Sequence, residues 1–192
     1  MGGSLDRPLR LEDEIDHFKS IPWCAKHLEA PNLVVTPGFS RDPRAQEPLF
    51  CETLRTKDTI AAFVCFYPRP ESELDFLPEL KAFVTLGNLV GGYPGVCHGG
   101  LVATLLDETL SFLGPRHRWL QSRDKLNHDM LKAYLHTDYL QPVKIPGTFL
   151  ITARLTKKNG RKSYMQGVME DENGQKVAKA DGLFVELPKG KM

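Results

Sequence analysis

The triplet His98-Gly99-Gly100 stands directly before the apolar run "LVATLLDETL", which carries Asp107 nine residues after the histidine and Glu108 beside it. Two glycines at the start of a helix leave the backbone N–H groups uncovered, so a ligand can approach them closely. Those N–H groups have no intrahelical partner and carry the positive end of the helix dipole. Such a place suits an oxyanion, and losing one donor of that kind typically costs about 2.7–4 kcal/mol of transition-state stabilisation. The acid pair further along has two readings from the residues alone. It is either the solvated face of an amphipathic helix or a carboxylate set beside the oxyanion site.

The helix itself is well marked. Stepping about 100° per residue from Leu101, the side chains of Leu105, Phe112, Val102, Leu113, Leu106, Leu110 and Ala103 fill an arc of roughly 200°. Asp107, Ser111, Thr104 and Glu108 occupy the rest, and Thr109 is the one polar residue inside the apolar arc. Cys97 is next to His98, but adjacent residues of an extended segment point to opposite sides, so the pair is a poor thiolate arrangement and Cys97 reads as core. Cys24, Cys51, Cys65 and Cys97 form no C-x-x-C pair, and His117, His128 and His136 lack zinc-ligand spacing. No metal and no cofactor are expected.

The elements that must position these residues follow from pattern. "LEDEIDHF" and "WCAKHL", separated by Pro22, read as short helices between Leu11 and Leu28. Ala30 to Pro48, rich in proline and turn formers, reads as a connector. "TIAAFVCFY" and "AFVTLGNLV" read as buried strands, with a polar excursion between them. "GGYPG" leads into the helix. Beyond it, "MLKAYLHTDYL" alternates, placing Leu131, Ala133, Leu135 and Tyr139 on one face and Lys132, Tyr134, His136 and Asp138 on the more polar one. Turns at Asn159-Gly160 and Asn173-Gly174 are strong hairpin signals, because both residues tolerate positive φ. Four consecutive strands in one antiparallel meander, with one long helix to cover them, make an α+β arrangement.

The composition bounds the rest. The chain has 192 residues, 41% hydrophobic and 26% charged, with a formal net charge of +1. It can bury a core as one domain, and its balance gives no global attraction to nucleic acid or an anionic membrane. No apolar run approaches the ~20 residues of a membrane span. "MGGSLDRPLRLEDEIDHF" has no apolar signal segment, so reduced thiols and a cytoplasmic setting are expected.

His98-Gly99-Gly100 with Asp107 nine residues on, followed by the strand order above, resembles the hotdog-fold acyl thioesterase superfamily, in particular its phenylacetate-pathway-like branch. "IPWCAKHL" and "GLFVEL" are similar to short fungal members, several associated with secondary metabolism. The resemblance implies a hotdog domain over residues 49–188, preceded by an N-terminal helical extension and connector over 1–48. It implies one long helix wrapped by a curved antiparallel sheet, in a homodimer or dimer of dimers with sites at the interface. The Gly99 N–H would polarise a thioester carbonyl, His98 would shape the loop, and Asp107, supplied across the interface, would activate water or attack. The substrate would be an acyl thioester of coenzyme A or of a carrier-protein pantetheine. Its contacts would include Gly100, Thr104, Glu108, Ser111 and Lys132, with Arg116 and Arg118 (and Arg123 and Lys125) meeting phosphates unless their loop is simply solvated. Trp119 among those cations points to a loop that packs against the domain, as a cap over the acyl pocket.

Two departures from the family pattern stand out. A Ser or Thr that helps position the water falls here on Lys132, which as a charged ammonium cannot accept a hydrogen bond. It could hold a thioester oxygen or pair with Asp107, and Thr104 or Ser111 could supply the missing hydroxyl. An Asn found in some relatives falls on Gly92. These departures keep open a non-hydrolytic acyl or polyketide binder and a pathway-specific cyclase or isomerase. A dehydratase would need its acid at the position of Phe112.

Overall fold

A computed structural model describes residues 10–38, 41, 48–70, 77–113 and 130–187. Helices α1 (Leu11–Lys19) and α2 (Pro22–Leu28) come first, then strands β1 (Leu33–Pro37), β2 (Ile60–Pro68) and β3 (Glu79–Leu86). A short ribbon of β4 (Gly91–Tyr93) and β5 (Val96–Cys97) leads into the long helix α3 (Gly99–Ser111). Strands β6 (Met130–Tyr139), β7 (Gly147–Asn159), β8 (Lys162–Glu170) and β9 (Lys176–Glu186) complete the chain. The larger sheet is antiparallel with the order β1-β2-β3-β7-β8-β9-β6.

This order corrects the expected four-strand meander. β7, β8 and β9 are neighbours in turn, but β6 pairs with β9 at the edge of the sheet, and β7 pairs with β3. The segment between β6 and β7 contains Pro142 and Pro146, which cannot give a ladder hydrogen bond, and the chain there crosses from edge to centre. The connector reading of Ala30 to Pro48 also needs correcting, because Leu33–Pro37 forms a strand against β2. Both expected hairpins form, with positive φ at Gly160 (55°) and Gly174 (73°). At the second turn the Asp171 side chain accepts the N–H groups of Asn173 and Gln175, each at 2.9 Å.

One face of the sheet packs on α3. Val102, Leu105, Leu106, Leu110 and Leu113 meet Phe63, Val84, Ile151, Met165, Ala180 and Phe184 in a single buried cluster. The stripe read from the sequence is therefore the face that α3 buries, and Thr109 within it is satisfied by donating to the Leu105 carbonyl at 2.8 Å. Gly167 lets the helix lie close, since a Cβ there would come within 3.2 Å of Leu106.

The opposite face is covered by α1 and α2. Phe18 stacks on Phe83 at 5.4 Å, and Trp23 meets the same ring edge-on at 5.2 Å. A buried ion cluster locks this layer down. Glu14 receives Arg41 Nη2 at 2.9 Å and Arg55 Nη2 at 3.3 Å, and its other oxygen accepts the Phe63 N–H at 2.9 Å. Arg41 in turn donates to the Ile60 carbonyl. Both backbone groups flank the register irregularity between Ile60 and Ala62, so the cluster satisfies polar groups at a bulge in the sheet.

Candidate active site

The site is built at the N-terminus of α3. His98 is the N-cap in extended conformation, and its Nδ1 accepts the Gly100 N–H at 3.0 Å. That bond leaves the ring proton to Nε2 when the imidazole is neutral. The His98 N–H is tied to the Val90 carbonyl at 2.8 Å, which sets the loop against β4. Gly92 lies against this histidine: a Cβ there would come within 3.1 Å of His98 Cα and 3.2 Å of Cδ2. The absence of a side chain at 92 thus goes with the close seat of the imidazole.

Gly99 is covered by a residue absent from the sequence-level site. The Tyr139 hydroxyl donates to the Gly99 carbonyl at 3.0 Å, and its ring would lie 3.3 Å from a Cβ at 99. The tyrosine comes from the far end of β6. The only sequence signal for it was its place on the same face of that strand as Leu135.

Asp107 and Glu108 are both half-buried. The Lys132 ammonium meets the Asp107 carboxylate, the side chains being 29% and 30% exposed. The expected polar face of β6 is therefore corrected. Between Lys132 and Tyr134 the pairing slips, so that Lys132 faces Phe184 and Tyr134 faces Leu183 on the neighbouring strand. Residues opposite each other on paired strands share a face, and Phe184 is in the core. Lys132 accordingly points toward α3, while Tyr134, His136 and Asp138 point away from it. Leu131, grouped with Leu135 by simple alternation, is 55% exposed.

The two helix hydroxyls take other partners. Thr104 donates to the Gly100 carbonyl at 2.8 Å and Ser111 to the Asp107 carbonyl at 2.9 Å. Burial pushes the Cys97 thiol up to about 11, so it stays protonated and packed in the core. Phe112 is likewise a core side chain. No group of three or more potential metal ligands occurs among the described residues. Arg116, Arg118, Trp119, Arg123 and Lys125 lie outside the described residues.

A long helix opened by His-Gly-Gly and wrapped by one antiparallel sheet defines a hotdog fold, with an α+β architecture. Residues 94–178 match the model of the Thioesterase superfamily. Among relatives, verlamelin biosynthesis protein B of Lecanicillium sp. is 27% identical over 205 residues, covering 91% of this chain and 88% of that protein. An uncharacterized protein of Schizosaccharomyces pombe is 33% identical over 103 residues, covering 51% of this chain and about half (54%) of that protein. Similar solved structures include the E. coli PaaI protein from the phenylacetic acid degradation operon, with 14% identity, 58% of this chain, 74% of that chain and a TM-score of 0.48. A hypothetical thioesterase of Streptococcus pneumoniae with coenzyme A has 19% identity, 60% and 85% coverage and a TM-score of 0.48. No helix among the described residues is long and apolar enough to cross a membrane.

Proposed function

We propose that the protein hydrolyses an acyl thioester as a homodimer. The observation that carries this reading is the opening of α3, where Gly99 and Gly100 put backbone N–H groups at a helix N-terminus with Asp107 two turns along. The Gly99 N–H polarises the thioester carbonyl, and His98, fixed through Gly100, holds the loop. Asp107 of the partner subunit takes a proton from the attacking water or attacks the carbonyl itself. The thiol portion is coenzyme A or a carrier-bound pantetheine, and the match of residues 94–178 to the Thioesterase superfamily model supports that class.

Support for the dimer comes from β6. It is an edge strand that carries exposed Leu131, Tyr134 and Tyr139, followed by exposed Leu140. An unpaired edge with apolar side chains is a template for a second copy. The likeness to a biosynthesis protein supports a role in secondary metabolism.

The test is thiol release from a panel of short, long and aromatic acyl-CoA esters, with Asp107→Asn alongside. Release that disappears in the variant supports hydrolysis. A second reading, a binder or cyclase without hydrolysis, draws on the Lys132–Asp107 pair, which occupies the carboxylate. It requires ligand binding, or a rearranged product, with no free thiol from any ester.

A further inference from the structure

Strict alternation along β6 would turn the Lys132 side chain away from α3, in phase with Tyr134, His136 and Asp138. The chain instead inserts Ala133 as an extra residue opposite the Phe184–Leu183 step of β9. A bulge disrupts ladder pairing locally and re-aims the neighbouring side chain. Here the result is an ammonium held at two points, on the Asp107 carboxylate and 5.6 Å from the centroid of the buried Phe184 ring. That ring distance is within cation–π range. A long, rotamer-rich side chain gives up its freedom at such a site only against fixed partners.

We propose that Lys132 is the positioning residue of Asp107, taking the place of a neutral hydroxyl. The proposal rests on the hydrolytic reading above. The hydroxyls of Thr104 and Ser111 give their protons to main-chain carbonyls, so neither donates to the carboxylate. In the hydrolytic step the water oxygen bonds to the thioester carbonyl carbon, one water proton passes to Asp107, and the electrons of the carbonyl π bond move onto the carbonyl oxygen. As that intermediate collapses, the C–S bond breaks with its electron pair on sulfur, and Asp107 returns the proton to the thiolate. Lys132 exchanges no proton. Its charge stays beside the site while negative charge migrates from the carboxylate to the carbonyl oxygen, so its contribution persists through the transition state. Its geometric role is to stop the half-exposed Asp107 from swinging into solvent.

The experiment is a pair of double-mutant cycles on the full chain, using Asp107→Asn, Lys132→Met and the combination. In thiol release, Lys132→Met should lower kcat by about 10–100-fold with KM nearly unchanged, the scale expected for a misplaced catalytic group. Lys132→Arg, which keeps charge and reach, should recover part of the loss. The combined variant should be no slower than Asp107→Asn alone, because Lys132 acts through that carboxylate. In thermal unfolding, Lys132→Met should lower Tm by about 2–4 °C, and the loss should shrink when Asp107 is already Asn. Full kcat in Lys132→Met, or losses that simply multiply, would overturn the positioning role. Independent Tm effects would overturn the pair itself. If the wild-type protein releases no thiol from any ester, the hydrolytic reading and the catalytic role fall together, and the Tm cycle then shows separately whether the pair exists.

Discussion

Tyr139 lays its ring across Gly99 and donates its hydroxyl to the carbonyl of that glycine at 3.0 Å. The contact ties the last residue of β6 to the first residue of α3, 40 positions away in the chain. It fixes the end of the helix where the proposed oxyanion donor lies. It also explains why residue 99 has no room to spare, although the tyrosine, 56% exposed, can yield.

Gly99→Ala is therefore expected to lower kcat/KM for thiol release by at least about tenfold, because a methyl group would shield the N–H proposed to polarise the carbonyl. Tm should change little, since the ring can move outward. Gly99→Ala combined with Tyr139→Ala separates the causes. If activity returns in the double variant, crowding by the ring was responsible, and shielding of the N–H was not.

Asp107→Asn should lower kcat by about 10²–10⁴-fold, the usual contribution of a positioned acid or base. Thiol release measured beside a thermal melt gives the check. Near-normal turnover in a folded variant would remove Asp107 from the mechanism.

Glu14→Gln tests the N-terminal layer. Glu14 and Arg41 are each 1% exposed, and the neutral side chain would leave Arg41 buried without its counter-charge. Removing one partner of a buried pair costs about 3–5 kcal/mol. Urea unfolding should show a loss on that scale. A loss within experimental error would mean that α1 contributes little to stability.

Acid should loosen the same layer. Burial holds His17 below its ordinary value of 6.5, against the opposing charge of Glu14, and its Nε2 bonds Thr85 Oγ1 at 2.8 Å. His27 is lowered by burial and by Lys81, with Glu170 opposing, and packs on Phe66 and Phe83. Both histidines bind protons more readily in the unfolded chain. Their stabilisation is therefore fully present above about pH 6.5 and is lost as pH falls through the lower folded values. Tm measured from pH 7.5 downward should decline below that point, and His17→Gln should flatten the slope. An unchanged slope would show that His17 does not titrate in this way.

The Cys97 thiol, raised to about 11, should resist iodoacetamide at pH 8, and Cys97→Ala should keep its thiol-release activity. Rapid labelling of Cys97 in the folded protein would contradict its burial.

The amino-acid sequence by itself determined α3 and the spacing of the glycines and acids along it. The apolar stripe, the two glycines before it and the acids opposite are spacings within one continuous segment, and a helix has one period that converts spacing into faces. Two short helices separated by Pro22 were legible for the same reason. Strand β1, inside a segment rich in proline, was not. Neither was the edge position of β6, because pairing joins residues far apart in the chain and alternation states faces only for an unbroken register. One inserted residue, Ala133, exchanges the two faces of a strand. Only the tertiary structure decided that Lys132 turns toward Asp107, that Tyr139 covers Gly99, and that Glu14 meets Arg41 and Arg55 beneath the sheet. Each of those contacts joins two or more elements, and the energy that selects them arises when the elements pack.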